Sequence, residues 1–281
     1  MSSRILTIDR INTYAGFLRE EERAPATIEK YLRDIRAFAA WLGGRAVAQG
    51  TAGQWREALL AQGLGPSTVN AKLSAINGLF RFLGWEGCRV RFLKVQRRAF
   101  RDAARELSLE DYRSLLDAAR SRGQARLALL LETICSTGVR VSEVRFITVE
   151  AARRGRADVS LKGKIRTILL PNKLCRKLLK YAGKQKTASG EIFLTRGGNS
   201  LSRKQIWREM KGLCRAAGVE PSKVFPHNLR HLFAVTFYRA TRDVVKLADV
   251  LGHSCVDTTR IYLMTTGAEH ARQLERLGLV S

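Results

Sequence analysis

The sequence lacks a long apolar run and an apolar leader, and its cysteines are few. No stretch of about 18 uncharged apolar residues occurs, so we expect neither a membrane span nor a membrane partner. The start, MSSRILTIDR, has no signal-peptide core, which predicts a cytoplasmic protein. The five cysteines are far apart, with no CxxC pair, and are expected to be free thiols in a reducing compartment: Cys88, Cys135, Cys175, Cys214 and Cys255.

Acidic residues are also scarce. The chain has 25 Asp and Glu against 50 Lys and Arg, a formal charge of +25. Such an excess repels itself unless a polyanion balances it, so nucleic acid is the expected partner. An anionic membrane surface is the alternative. It is disfavoured because the charges are spread along the chain and do not form one polybasic cluster beside an amphipathic anchor.

The first part of the chain is predicted to be a small helical bundle. The 281 residues, 45% of them hydrophobic, suffice for one large domain or two medium ones. Apolar residues recur at intervals of three and four, which predicts four helices within a domain of residues 1–87: 5–21, 25–42, 52–61 and 66–84. Residues 88–105 carry seven basic residues and one acidic residue. This segment is predicted to be an interdomain linker that runs along a phosphate backbone.

The second domain, residues 106–281, is predicted to be mostly α with a small antiparallel sheet. Ser108 is the expected N-cap of a helix over 107–120, and an apolar helix follows over 125–138. Alternating residues on either side of KGK in RADVSLKGKIRTILLP predict a hairpin, and EIFLT is expected to add a strand. From residue 201 onward the pattern is helical again.

The stretch FPHNLRHLFAV concentrates chemistry within an apolar helix. His227 and His231 stand at i and i+4, which is zinc-ligand spacing. The metalloprotease interpretation fails because Asn228 stands where that chemistry needs Glu, and Arg230 would repel a dication. The alternative is an anion site, with Arg230 as a positive fork and His227 as a donor.

Three further short stretches could contribute to an anion site. STGVRVSEV places Arg140 just after a helix end, LGHS supplies His253, and TTRIYL supplies Tyr262. Taken alone, each is more typical of a surface arginine or a core side chain. Asp243 and Gly252 are expected to bound the helix before His253, and Ser254 with Asp257 to cap the next one.

The motifs TGVRVSE, HNLRH and LGH…TTRIY occur in the order and at the spacing of one family, so the sequence resembles the tyrosine recombinases and integrases. The resemblance implies an α-helical, SAM-like core-binding domain followed by a tyrosine-recombinase catalytic domain. It implies a site-specific DNA recombinase that cleaves and rejoins strands through a 3′-phosphotyrosyl intermediate. Integration or excision of an element and chromosome dimer resolution are both open. No cofactor and no metal are expected.

The resemblance also implies roles for six residues. Tyr262 is the expected nucleophile, while Arg140 and Arg230 hold the non-bridging phosphate oxygens. A phenol with a pKa of about 10 is a poor nucleophile at neutral pH, so charge stabilisation by two arginines is physically reasonable. His227 is expected to accept the tyrosine proton or to donate to the phosphate, and His253 to donate to a non-bridging oxygen.

The general acid for the leaving 5′-oxygen is expected to be a lysine in the hairpin turn. Lys162 is favoured because Lys162-Gly163 matches part of the family's Gly-Lys-Gly, although Leu161 replaces the first Gly, and Lys164 is the alternative. Glu143 is expected to orient neighbouring groups, and His231 to be structural.

Contacts to double-stranded DNA outside the site are expected from six basic side chains: Lys72, Arg97, Arg98, Arg101, Arg203 and Lys204. The resemblance implies a homo-oligomer on the recombination site, a dimer per site and a tetramer in synapsis, in nucleoid-associated cytoplasm. A tail helix over 266–281 is also predicted from its apolar stripe. Two alternatives are a type IB topoisomerase and a non-catalytic DNA-binding protein.

Overall fold

The computed structural model describes residues 4–95, 103–161, 164–253, 255–260, 262 and 275–276. The chain divides into two compact units, Met1–Arg97 and Arg98–Ser281. In the described part of the chain, no helix is long and apolar enough to cross a membrane. All five cysteines are free thiols, as the sequence predicts.

The first unit contains the four predicted helices: α1 Ile8–Glu20, α2 Pro25–Leu42, α3 Thr51–Ala61 and α4 Pro66–Phe82. The bounds of α2 match the prediction. Helix α1 begins three residues later than predicted because the Thr7 side chain accepts from the backbone N–H of Arg10 and caps it. The apolar stripes of α2 and α4 meet in the core, where Phe38 and Phe80 are fully buried.

The segment after α4 is fastened to the first unit by two asparagines. The Asn77 side chain donates to the Val90 carbonyl (2.8 Å) and accepts from the Val90 N–H (3.0 Å). Asn70 makes the same two-way contact with Leu93, at 2.9 and 2.8 Å. The first residues of the predicted linker therefore lie along α4.

The second unit is built mostly from helices, and the prediction from residue 201 onward is confirmed as far as the structure describes it. The helices are α5 Leu109–Ser121, α6 Ala125–Thr137, α7 Val149–Arg154, α8 Asn172–Lys184, α9 Arg203–Lys211, α10 Cys214–Ala217, α11 Pro226–Thr241, α12 Val244–Leu251 and α13 Val256–Arg260. Ser108 caps α5 and forms a capping box with Asp111, which confirms the predicted N-cap. The predicted cap by Ser254 and the tail helix over 266–281 lie outside the described residues, apart from Glu275 and Arg276.

The predicted hairpin is present as strands β1 Arg156–Leu161 and β2 Lys164–Leu169, paired antiparallel with Arg156 opposite Leu169. Ile165 and Leu169 lie on its exposed face, whereas Ile168 is buried. The expected strand at EIFLT is wrong. Among the described residues, that segment makes only two isolated bridges, Glu191 with Thr148 and Leu194 with Ser200, and no strand pairs along it. Ile192 and Phe193 are buried in the core.

Among its described residues, the second unit has two apolar clusters. The larger one surrounds α6, where Leu130, Leu131 and Ile134 are fully buried. A smaller cluster joins α11 and α12 through Ala234, Leu247 and Leu251, and it includes Tyr262. The tyrosine singled out from the sequence thus lies beside the helix that carries Arg230.

Candidate active site

A glycine turn places Arg140. Helix α6 ends at Thr137, and Gly138 adopts a left-handed conformation, with φ of +64°. A Cβ at this position would lie 2.5 Å from a ring carbon of Phe233 on α11. Only glycine therefore fits both the backbone angle and the close approach of α11. The chain then turns sharply, and Arg140 precedes a short 3₁₀ helix over Val141–Phe146.

The carboxylate of Glu143, which is only 4% exposed, organises this turn. Its oxygens accept from the backbone N–H and the Nη1 of Arg140, both at 2.9 Å. They also accept from Nη2 of Arg166 at 2.7 Å. A buried carboxylate is stabilised only when its lone pairs are matched, and two guanidinium groups do so here. The Arg140 side chain itself is 39% exposed and accessible to an anion.

Arg230 lies in the first turns of α11 and is buried. Its guanidinium donates to the carbonyl of Gly138, to the carbonyl of Leu251 (2.9 Å) and to Nε2 of His253 (3.0 Å). These contacts connect the end of α6 with the end of α12 through one side chain.

His253 occupies the tight turn that the sequence predicts. Asp243 caps α12, Gly252 ends it with φ of +64°, and the His253 N–H bonds back to the Ala248 carbonyl. Because arginine can only donate, Nε2 of His253 accepts from Arg230. The ring proton is then on Nδ1, which donates to Thr259 Oγ1 at 2.7 Å. Thr259 is fully buried on α13.

Tyr262 lies among three of the histidines, and its side chain is buried. Its ring centroid is 5.9 Å from that of His227, 5.4 Å from that of His231 and 5.8 Å from that of His253. The ring of His253 stacks on it nearly parallel, at 8°.

The clustered positive charge sets the protonation states. Burial, followed by the charges of Arg230 and Arg140, lowers the pKa of His227. The same causes, with Arg166 and His227 added, lower the pKa of His253 to about 4. Burial and then Arg140 lower the pKa of Arg230 to about 10, while a hydrogen bond with Tyr262 opposes this shift. At neutral pH both imidazoles are neutral and the guanidinium remains charged.

The structure brings together five of the six residues that the resemblance singles out: Arg140, His227, Arg230, His253 and Tyr262. Lys162 lies outside the described residues, and the backbone of Lys164 begins β2. Two further polar residues of the site, Arg166 and Thr259, were missed. A signal existed for Arg166, because it shares the buried face of β2 with Ile168. For Thr259 there was no signal in the sequence, because Thr258 and Thr259 are adjacent in TTRIYL and nothing distinguishes them.

The expected DNA contacts differ in their surroundings. Lys72 is 22% exposed and forms an ion pair at 3.3 Å with Asp34, a buried carboxylate that also pairs with Lys30. Arg203 and Lys204 are exposed in the first turn of α9, after the N-cap Ser202. Arg97, Arg98 and Arg101 lie outside the described residues.

The fold and the site define a mainly helical protein of two units, in which a tyrosine lies among arginines and histidines suited to hold a phosphate. Two family models match the chain: the phage integrase family over residues 105–268, and the phage integrase N-terminal SAM-like domain over residues 11–87. The chain therefore belongs to the phage integrase family of tyrosine recombinases, and it is a site-specific recombinase that cleaves and rejoins DNA.

Individual relatives agree with this membership. Tyrosine recombinase XerD of Brucella suis biovar 1 (strain 1330) is 32% identical, over 86% of this chain and 88% of that protein. Tyrosine recombinase XerA of Pyrococcus furiosus is 27% identical, over 100% and 98% respectively. A lambda integrase tetramer bound to a Holliday junction has the same fold, with a TM-score of 0.75 and 18% identity, over 93% of this chain and 78% of that chain. These relatives give no support to the topoisomerase alternative.

Proposed function

We propose that Tyr262 is the nucleophile of this recombinase. Its phenolic oxygen attacks a DNA phosphodiester, forms a 3′-phosphotyrosyl bond and releases a 5′-hydroxyl. The covalent bond conserves the energy of the phosphodiester, so the strand is rejoined without ATP. The observation that carries this proposal is the position of Tyr262, buried and surrounded by the rings of His227, His231 and His253.

Two arginines hold the phosphate in this mechanism. Arg140 is exposed enough to bind a non-bridging oxygen directly. Its Nη1 donates to the Glu143 carboxylate, which fixes the orientation of the guanidinium. Two carbonyls hold Arg230, so its charge is already in position when the phosphorane forms, and only its contact with His253 has to open. With these two cations in place, no metal is assigned a role.

The protons move through neighbouring side chains. His227 is neutral at pH 7 because its pKa is lowered, and it can accept the Tyr262 proton. To donate to a non-bridging oxygen, His253 needs its proton on Nε2, which accepts from Arg230 in the free protein. Once the phosphate replaces Arg230 at Nε2, the ring takes its other neutral tautomer, in which Nε2 carries the proton and Nδ1 accepts from the Thr259 hydroxyl. Lys162 protonates the leaving 5′-oxygen, with Lys164 as the alternative.

The substrate of this reaction is a double-stranded recombination site, bound by residues 1–87 and 106–281 on either side of the linker 88–105. Two protomers occupy a site and four form the synapse, in the nucleoid-associated cytoplasm. The six basic side chains expected from the sequence to contact DNA position the duplex mainly through phosphates. Both integration or excision and chromosome dimer resolution fit this chemistry.

The nucleophile is tested with a nicked suicide substrate and protein in which Tyr262→Phe removes the phenolic oxygen. DNA recovered in covalent complexes from cells supplies the site, and the reaction contains a chelator because no metal is assigned. The wild type should accumulate a covalent adduct, whereas Tyr262→Phe should bind the DNA and form none. Tyr238→Phe is the matched control, since Tyr238 packs on the same cluster and should cleave normally. An adduct formed by the Tyr262→Phe variant would refute the assignment.

A further inference from the structure

Arg166 is a largely buried arginine that the proposed chemistry does not use. It lies on β2, where its neighbours Ile165 and Leu169 point outward, and its side chain is only 13% exposed. Its Nη2 donates to Glu143 Oε2 at 2.7 Å, and its Nη1 donates to the carbonyl of Leu251. The hairpin is thereby attached to two separate turns.

Each acceptor of Arg166 is shared with one of the phosphate-holding arginines. The Glu143 carboxylate also accepts from Arg140, through both its side chain and its backbone. The Leu251 carbonyl also accepts from Arg230 at 2.9 Å. Arg166 is therefore connected to Arg140 through Glu143 and to Arg230 through the Leu251 carbonyl.

The stem of Arg166 also sets the position of His253. A Cβ on Gly252 would lie 2.5 Å from Cδ and 2.8 Å from Nη1 of Arg166, so the side chain packs directly on the Gly252 backbone. His253 follows Gly252 directly in the chain. The position of the Gly252 backbone therefore sets where the His253 ring lies against Tyr262.

This arrangement has a cost that an apolar side chain would avoid. Burial lowers the pKa of Arg166, against the favourable charge of Glu143. Within the described residues, its buried Nε has no hydrogen-bond partner. An apolar residue would fill the same face of β2, as Ile168 does, but it would leave Glu143 with Arg140 alone and Leu251 with Arg230 alone.

We propose that Arg166 is a positioning residue for strand cleavage: it fixes Arg140 through Glu143, and the His253 turn through Leu251 and Gly252. The inference rests on the proposed function, because it presupposes that Arg140 and Arg230 hold the scissile phosphate. In this proposal Arg166 acts through these neighbouring groups and binds neither the DNA nor Tyr262. Its loss should therefore slow cleavage and leave DNA affinity unchanged.

The test compares Arg166→Met and Arg166→Lys with the wild type, using single-turnover cleavage of a suicide substrate and binding to the same uncleavable DNA. Arg166→Met should cleave roughly 10- to 100-fold more slowly, with a dissociation constant unchanged within about twofold. Arg166→Lys keeps one donor and should recover part of the rate. Arg156→Met is the matched control, because it removes an exposed arginine from the same hairpin and should cleave like the wild type.

A double-mutant cycle separates positioning from general support of the fold. If Arg166 acts through Arg140, the cost of Arg166→Met should shrink when Arg140→Lys is already present. Equal costs in both backgrounds, equal losses of binding and cleavage, or wild-type cleavage by Arg166→Met would each overturn the inference. If the Met variant does not fold, Arg166→Lys decides: wild-type cleavage would overturn the inference, and slower cleavage at unchanged affinity would support it. A wild type that forms no Tyr262 adduct would instead overturn the proposed function.

Discussion

At the scale of single residues, hydrogen bonds from neighbouring side chains set the protonation pattern of the site. The tautomer of His253 follows from Arg230 on one side and Thr259 on the other. The histidine itself was predictable from LGHS and its distance to Tyr262 in the chain. The threonine was not, because a sequence does not show which of two adjacent hydroxyls faces inward.

Thr259→Val should remove the acceptor for the His253 Nδ1 proton while keeping the shape of the side chain. The imidazole then loses the hydroxyl that holds its ring and that can also donate to Nδ1 when Nε2 carries the proton, so cleavage should slow by about tenfold with DNA affinity retained. Single-turnover cleavage and binding assays measure the two effects. Thr259→Ser keeps the hydroxyl and should stay near wild type, and Thr258→Val tests the exposed neighbour. Equal cleavage by Thr259→Val and the wild type would show that the hydrogen bond has no role in cleavage.

Protonation of His253 should make stability depend on pH. Its pKa is about 4 in the folded protein, below the ordinary value of about 6.5 in the unfolded chain. Between these values the unfolded chain binds more protons, so stability falls as the pH falls and is retained above the unfolded pKa. Thermal unfolding should therefore occur at lower temperature at about pH 5.5 than at about pH 7.5. His253→Gln should reduce that difference, and an unchanged difference would contradict the assigned cause.

At the scale of elements, the close meeting of α6, α11 and α12 holds the arginines. Gly138 is the point of contact, since a Cβ there would also lie 2.9 Å from Leu251. Its carbonyl, in turn, accepts from Arg230. A backbone turn and a hydrogen bond to Arg230 thus coincide at one glycine.

Gly138→Ala should destabilise the protein for two reasons that a matched variant separates. The left-handed backbone costs about 1–2 kcal/mol for any residue with a Cβ, and the collision with Phe233 adds about 1–3 kcal/mol. Gly123→Ala has nearly the same φ, +65°, but meets no atom within 4 Å, so it should show the backbone cost alone. Urea denaturation followed by circular dichroism gives both values. If Gly138→Ala and Gly123→Ala lose the same free energy of unfolding, α6 and α11 accommodate the added Cβ without cost, and the predicted collision does not contribute.

The elements whose signals are local were predictable from the sequence. Pro25 and the Gly43-Gly44 pair bound α2, and Ser108 and Asp243 cap their helices, because caps and breakers act within a few residues. The segment EIFLT failed because strand formation needs a partner that the local sequence does not specify. Arg166 was missed for a similar reason: its acceptors, Glu143 and Leu251, are distant in the chain.

At the scale of the whole molecule, the charge of +25 should govern DNA binding. Each phosphate contact releases counterions, so the logarithm of the affinity should fall linearly with the logarithm of the salt concentration. A basic side chain can strengthen DNA binding by direct contact with a phosphate or only by adding to the net charge. The two cases predict different salt dependences when that side chain is removed. A direct contact changes the slope, whereas a distant charge changes mainly the long-range attraction.

Arg203→Ala tests this distinction, because Arg203 is exposed at the start of α9 and is an expected phosphate contact. The variant should bind more weakly at low salt, and its salt slope should be smaller by about 0.9, the value for one contact on duplex DNA. Arg176→Ala removes the same charge from the exposed side of α8 and should leave the slope unchanged. Fluorescence anisotropy titrations at several salt concentrations give both slopes. If the two variants change the slope equally, Arg203 contributes only through the net charge, and the phosphate contact must be sought on another exposed basic side chain.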